Sequence, residues 1–241
     1  MASERKDIHN SDVPVLCRSC EARHRGMCGV LEPEQLIELS RATHKVRHKA
    51  GAELIGNGAE IQSYANVMRG VVKLTKMLED GRQQVVGLQF APDLLGRLFA
   101  QEDVVASEAA SSVELCVVPK GTLEHLIEKN PTLQLKLMQQ TLRELDEARN
   151  WMLTLGRKTA PEKVASFFYL LATHLDPCAS VENAIRFELP LTRTDIADFL
   201  GLTIETVSRQ ITKLRQLGVI AVTNNRQVEV PELKRLESLC G

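Results

Sequence analysis

The sequence has no apolar run long enough for a membrane-spanning helix, which argues against a membrane partner. Its first 30 residues are polar and cysteine-rich, unlike a secretory signal peptide, so we expect a cytoplasmic protein. It also lacks a glycine-rich phosphate loop and a nucleophile with a placed base, and we therefore do not expect an enzyme. Internal repeats and low-complexity segments are absent.

A strong excess of charge of either sign is missing as well. The chain carries 30 Lys and Arg residues against 31 Asp and Glu residues, and its formal net charge is -1. This balance does not exclude nucleic acid, because a sequence-specific DNA-binding protein needs positive charge on one face only. The 241 residues, 44% hydrophobic and 25% charged, are enough for two domains with their own cores.

Residues 191–220 have the pattern of two short amphipathic helices joined by a tight turn. Thr192, followed three residues later by Asp195, predicts the start of the first helix, and Gly201 predicts a left-handed turn after it. Thr203 predicts the start of the second helix. The segment is therefore predicted to form a helix-turn-helix. Its apolar positions recur at helical spacing and are Ile196, Ala197, Phe199, Leu200, Val207, Ile211 and Leu214.

The second helix carries the candidate DNA contacts, near its start. Arg209 can donate two hydrogen bonds to guanine, Glu205 can accept one from cytosine, and Ser208 can contact a neighbouring base. Lys213 is better placed for a phosphate. A solvated helix face also looks charged, but the spacing together with the Glu-Thr-Val-Ser-Arg run favours double-stranded DNA as a partner. The full candidate set is Thr203, Glu205, Thr206, Ser208, Arg209 and Lys213.

Three of the six cysteines lie close together near the amino terminus, at Cys17, Cys20 and Cys28. In a reducing compartment such cysteines indicate metal or redox chemistry before disulfides. Spacing alone leaves open an iron–sulfur cluster, a zinc site completed by His24, and three unrelated thiols. Cys116 is the best fourth ligand by chain order, although a lone cysteine in a strand is more often a small buried hydrophobe.

Residues 46–118 alternate short runs of Val, Leu and Ile with turn residues, which predicts an antiparallel β-roll or barrel. Asp80-Gly81 is the strongest hairpin signal. Residues 92–111 are predicted to form a long loop, helical in part. Strands are predicted at 64–68, 70–78, 84–90, 113–118 and 187–190, and a hairpin, or wing, at 219–230.

Helices are predicted at 31–43, at 122–128, from Pro131 to about Leu155, and from Pro161 after a linker at 156–163. The long helix has a heptad-like apolar seam that Arg149 interrupts. Such a seam favours a homodimer through a two-stranded coiled coil, although a stripe facing its own domain remains an alternative. The candidate dimerisation residues are Leu135, Met138, Leu142, Leu145, Arg149 and Met152.

These elements predict an α+β fold: an N-terminal antiparallel β-roll, a long dimerisation helix and a C-terminal winged helix-turn-helix. The predicted domains are a cysteine-rich segment at 1–30, the β-roll at 31–130, the dimerisation helix at 131–158 and the DNA-binding domain at 159–241.

This order of parts resembles the CRP/FNR family of bacterial transcription regulators. The run from Cys17 to Cys28, CRSCEARHRGMC, is similar to the oxygen-sensing FNR type and most similar to its FnrL branch. The resemblance implies a cyclic-nucleotide-binding-like jelly roll and a 4Fe-4S cluster, degraded by oxygen, on Cys17, Cys20, Cys28 and Cys116. It also implies a homodimer, RNA polymerase as a partner, and a TTGAT-N4-ATCAA palindrome read by Glu205, Ser208 and Arg209.

The sequence differs from the family pattern at two points, and two alternative functions remain open. The spacing from Cys20 to Cys28 is longer than in the best-studied members, and Gln210 stands where many members have an aliphatic residue. Glu108 falls where a nucleotide phosphate would need an arginine, so cAMP is not expected. The alternatives are a regulator with structural zinc or a thiol-redox switch, and a metal enzyme with an appended DNA-binding module.

Overall fold

The computed structural model describes residues 14, 17, 20–175 and 184–241. Residues 176–183, which the sequence predicts to form a loop, lie outside the described residues. None of the helices in the described ranges is both long and apolar enough to span a membrane.

Short helices and strands alternate up to residue 119. They are α1 (Glu21–Arg25), a 3-10 turn (Met27–Val30), α2 (Pro33–Ala42), β1 (His44–His48), β2 (Glu53–Ile55), β3 (Ser63–Arg69), β4 (Val72–Met77), β5 (Gln83–Gln89), β6 (Leu94–Leu95), β7 (Ala106–Ala109) and β8 (Val113–Pro119).

The remainder of the described chain is mainly helical. Its elements are α3 (Lys120–Lys129), α4 (Pro131–Arg157), α5 (Ala160–Leu175), β9 (Ile185–Glu188), α6 (Arg193–Leu200), α7 (Ile204–Gln216), β10 (Ala221–Thr223), β11 (Gln227–Val230) and α8 (Leu233–Glu237).

The first compact unit comprises the residues up to Val71 together with Ala91–Arg143. Its main sheet is antiparallel, with the strand order β1-β8-β3-β6, and β2 pairs with β7. Side chains from the 3-10 turn, α2, α3 and the start of α4 pack on this sheet in one core. Each buried Leu or Met contributes roughly 1.5–3 kcal/mol to that packing. The core includes Met27, Leu36, Leu39, Tyr64, Val118, Leu123, Ile127, Leu133 and Leu137.

The second compact unit comprises Val72–Phe90 and Glu144–Gly241. It contains the β4–β5 hairpin, whose turn residue Gly81 has φ +85° as the Asp-Gly signal predicted. It also contains α5 to α8 and a three-stranded sheet of order β10-β11-β9, which includes the predicted wing. Its buried side chains include Phe167, Phe168, Leu171, Ile196, Leu200 and Ile211.

The structure corrects three local predictions. Residues 92–111 contain no helix but the strands β6 and β7, since Leu94 and Leu95 pair with β3. The predicted linker at 156–163 is reduced to Lys158 and Thr159, because α4 continues through Gly156 and α5 starts at Ala160. The strand expected at 187–190 is shifted to Ile185–Glu188, where it pairs with β11.

Candidate metal centre and nucleic-acid interface

A cavity in the first unit is lined by all four cysteines proposed as ligands, Cys17, Cys20, Cys28 and Cys116. The space between the lining side chains is about 440 Å³ when volume open to solvent is counted. Cys116 comes from the middle of β8, Cys28 from the 3-10 turn and Cys20 from the residue before α1. The structure therefore brings together a set that the sequence spreads over 100 positions.

Backbone turns wrap the cysteine segment around the cavity. The amide of Cys20 donates to the carbonyl of Cys17 (3.3 Å), and the amide of Arg23 donates to the carbonyl of Cys20 (3.2 Å). At Gly26 an added Cβ would lie 2.9 Å from both the Ala22 carbonyl oxygen and Cβ of Pro92. Only glycine fits this close approach.

The charge environment of the thiols is set by burial and by two cations. Burial raises the pKa of the Cys28 thiol, the neighbouring thiols raise it further, and Arg23 opposes this. Burial likewise raises the pKa of Cys116, whereas a hydrogen bond with Thr43 and the charge of Lys45 lower it. The Cys28 and Cys116 thiols are thus protonated without a metal, and binding a cation would displace their protons.

The zinc site completed by His24 finds no support in this geometry. His24 is exposed and is not among the described residues that line the cavity. Within the described ranges no three His, Cys, Asp or Glu side chains are grouped closely enough for one metal ion. The described cysteines are all free thiols: Cys17, Cys20, Cys28, Cys116 and Cys240.

Two cavity-lining residues, Lys45 and Asn66, were not found from the sequence. They reach the cavity through strand pairing, since both are direct Cα partners of Cys116, from β1 and β3 respectively. No short-range motif could have signalled them, because the pairing register joins positions about 50 to 70 residues apart.

The helix-turn-helix in the second unit has the predicted caps. The hydroxyl of Thr192 accepts from the Asp195 amide (3.1 Å), and the Thr192 amide donates to the Asp195 carboxylate (3.0 Å). Gly201 has φ +60° in the left-handed region. Thr203 accepts from the Thr206 amide (3.2 Å) at the start of α7. These caps fix the angle at which α7 leaves the turn.

The outward face of α7 presents the predicted DNA contacts. Val207, Ile211 and Leu214 are buried on the opposite face. Hydrogen bonds from its own backbone amide and from Thr203 lower the pKa of Glu205, which keeps this carboxylate an ionised acceptor. Thr206 is half-buried, and the exposed members are Thr203, Glu205, Ser208, Arg209 and Lys213.

Two family profiles match the chain: a cyclic nucleotide-binding domain over residues 45–130 and a Crp-like helix-turn-helix domain over residues 162–239. A "Probable transcriptional activator" of Rhizobium leguminosarum bv. viciae is 52% identical over 98% of this chain and 97% of that protein. The chain belongs to the CRP/FNR family of transcription regulators.

Further CRP/FNR relatives cover almost the same length. The "Transcriptional activator protein FnrL" of Cereibacter sphaeroides is 38% identical over 95% of each chain. The structure of FixK2 from Bradyrhizobium japonicum is similar with a TM-score of 0.73 and 31% identity, covering 83% of this chain and 98% of that one. These likenesses confirm the predicted fold class.

In this CRP/FNR chain the predicted dimerisation seam faces away from the core of the first unit. On α4, Leu133, Leu137 and Gln140 are buried. At about 100° per residue, the seam residues Leu135, Met138 and Leu142 lie roughly 130° to 175° around the helix from that buried face. Its apolar members are 44% to 72% exposed, and they are Leu135, Met138, Leu142, Leu145 and Met152, with Arg149 also exposed.

Proposed function

We propose that this CRP/FNR regulator controls transcription in response to oxygen, through a 4Fe-4S cluster held by Cys17, Cys20, Cys28 and Cys116. The observation that carries the proposal is that all four thiols line one cavity. Thiolates are the ordinary ligands of such clusters, and a cluster of this kind supplies sensitivity to oxygen. The proposed homodimer binds DNA while the cluster is held and dissociates when it is lost.

The residues present fit this group in charge and in donor type. A 4Fe-4S core with four thiolates is an anion, and Arg23 and Lys45 in the cavity wall supply positive charge that offsets it. Four thiolates also hold zinc in structural sites, and the metal analysis below separates the cluster from this alternative.

The packing of the first unit offers a route from the cysteines to the dimer seam. Cys28 packs against the core that contains Met27 and, from the start of α4, Leu133 and Leu137. Ligation that orders the cysteine segment thereby stabilises the helix carrying the seam on its other face. The dimer dissociates when the cysteine segment no longer holds the cluster.

We further propose that the dimer places two copies of α7 about one DNA turn, roughly 34 Å, apart on a TTGAT-N4-ATCAA palindrome. Arg209, Glu205 and Ser208 read the bases, and Lys213 contacts a phosphate. The printed names of the relatives support a role in activation. RNA polymerase as the partner and the cytoplasm as the location are further parts of the proposal. cAMP is not a ligand in this account, because Glu108 would repel its phosphate.

The proposal is tested by metal analysis and DNA binding of anaerobically purified protein. The wild type should contain about four iron and four sulfide per chain and lose both in air. Cys116→Ser should lose the cluster and anaerobic DNA binding. Cys240→Ser should keep both, because the Cys240 thiol lies in the second unit, where it donates a hydrogen bond to the Leu236 carbonyl. Stoichiometric zinc without sulfide, or wild-type DNA affinity in Cys116→Ser, would refute the cluster assignment.

A further inference from the structure

A row of three residues crosses the sheet beside the proposed metal centre. Lys45 on β1, Cys116 on β8 and Asn66 on β3 are direct cross-strand partners. Directly paired residues project from the same face of a sheet, and all three line the cavity. Asn66 and Lys45 therefore flank the one cysteine that the sheet contributes.

In this row, the side-chain amide of Asn66 has an oxygen without a hydrogen-bond partner among the described residues. The residue is 3% exposed, and the oxygen concerned is Oδ1. A buried polar atom without a partner costs about 1–3 kcal/mol, and such atoms are rare in folded proteins. Because Asn66 also lines the cavity, a group bound there is a candidate partner for its amide.

The chemistry of the amide restricts what that group can be. A half-turn about the last side-chain bond exchanges the amide oxygen and nitrogen, so the amide can face the cavity with either a donor or an acceptor. The cavity is surrounded by four sulfur atoms and by the cations Arg23 and Lys45, a setting for an anionic group. An anionic sulfur accepts hydrogen bonds, and the matching end of the amide is its N–H.

We propose that Asn66 donates a hydrogen bond from its side-chain amide to a sulfur atom of the cluster and thereby slows loss of the cluster. The inference rests on the proposed function, because it requires a cluster on the four cysteines. Groups that hydrogen-bond to metal ligands typically change metal retention 10- to 100-fold when they are removed. Asn66 would thus set how readily this regulator loses its metal.

A purely structural role for Asn66 predicts a different pattern. Asn66→Leu replaces the amide by an apolar group of similar size. Since Oδ1 has no partner among the described residues, the free energy of unfolding of cluster-free protein should be unchanged or higher. The same variant should lose iron from the loaded protein more readily. Easier loss of iron, together with unchanged or higher stability of the cluster-free protein, distinguishes a role in holding the cluster from a role in stabilising the fold.

The experiment compares three variants with the wild type under anaerobic conditions. Iron release is followed by visible absorption against an iron chelator, and unfolding of cluster-free protein is followed in urea. For Asn66→Leu we expect the chelator concentration that removes half the iron to fall about 10-fold or more. Asn66→Gln, which keeps the amide, should restore most of the retention. Met68→Leu, also in the cavity lining but without a donor, should behave as wild type.

The outcomes distinguish this inference from the function on which it rests. An Asn66→Leu protein that folds with wild-type stability and holds little or no iron supports the inference. Wild-type iron retention in Asn66→Leu overturns it and leaves the proposed function standing. Unfolding of cluster-free Asn66→Leu assigns the amide a structural role and also overturns it. Wild-type protein without iron and sulfide overturns both.

Discussion

Among single residues, Arg209 has the most specific expected role. It is exposed on the outward face of α7, where a guanidinium can donate two hydrogen bonds to one guanine. We expect Arg209→Ala to weaken binding to the matched duplex by about 1–3 kcal/mol and to relax selectivity at one base pair. Fluorescence anisotropy with matched and single-mismatch duplexes measures both effects.

Lys213→Ala is the matched comparison for this prediction. A phosphate contact carries no sequence information, so this variant should bind all duplexes more weakly by a similar factor. Its dependence on salt concentration should also become less steep, because one phosphate contact is lost. Equal loss of selectivity in both variants would contradict the assignment of Arg209 to base readout.

A second residue-scale prediction concerns the ion pair between Lys73 and Asp195, whose Nζ and Oδ1 atoms lie 2.5 Å apart. Their side chains are 8% and 14% exposed. Burial works against ionisation of Asp195, but hydrogen bonds from Lys73 and Thr192 outweigh it, so the pKa of this carboxyl is lowered. Lys73→Met should lower the free energy of unfolding by about 3 kcal/mol at pH 7.

The sign of the pH dependence follows from the lowered pKa. Stabilisation by Asp195 is fully present above its unfolded-state pKa of about 3.9 and is lost as the pH falls through the lower folded-state value. Urea unfolding at pH 7 and near pH 3 should therefore show a larger acid loss for wild type than for Lys73→Met. Arg186→Met, which breaks the exposed pair with Glu229, should change stability little at either pH.

Local side-chain chemistry explains which residues the sequence could predict. The caps at Thr192 and Thr203 and the turn at Gly201 depend on positions within a few residues, and all three were predicted correctly. Asn66 and Lys45 could not be found this way, because their position beside Cys116 depends on the register of three strands. A residue that is placed beside a position far away in the sequence leaves no local sequence pattern that predicts the contact.

At the scale of elements, α4 carries two faces with different roles. Its first turns are buried in the first unit by Leu133 and Leu137, while the apolar seam on the opposite side is exposed. Leu142→Arg places a charge in the centre of that seam, and we expect it to shift the anaerobic protein from dimer to monomer. Analytical ultracentrifugation over a range of concentrations measures the shift.

Asn150→Arg is the control for the seam, because it adds the same charge at an exposed position of α4 away from the seam. It should dimerise as wild type does. Iron content should stay unchanged in both variants, since neither residue is among those lining the cavity. If Leu142→Arg remained a dimer at micromolar concentration, another surface would hold the protomers together.

Element boundaries that depend on distant partners were the ones predicted wrongly. Leu94 and Leu95 are too short a run to signal a strand, and they become one by pairing with β3. Gly156 suggested a linker, yet α4 continues through it, since a glycine inside a helix costs only about 1 kcal/mol. The long, strongly periodic helices α4, α5 and α7 were placed correctly to within a few residues.

For the whole molecule, the proposed function links a proposed metal centre in one compact unit to a helix-turn-helix in the other. The family membership rests on a cyclic nucleotide-binding domain and a Crp-like helix-turn-helix domain, whose matched ranges do not include Cys17, Cys20 or Cys28. The proposal that the metal centre and the helix-turn-helix are coupled makes DNA affinity a function of cluster content. Neither the metal content nor the DNA affinity alone tests that coupling.

The most direct test follows both quantities in one sample. Anaerobically purified protein is titrated onto a labelled duplex carrying TTGAT-N4-ATCAA, with iron and sulfide assayed in the same solution, before and after brief exposure to air. We predict that DNA affinity falls in step with the loss of iron and sulfide and that the dimer dissociates. Unchanged affinity after complete loss of the cluster would contradict the account.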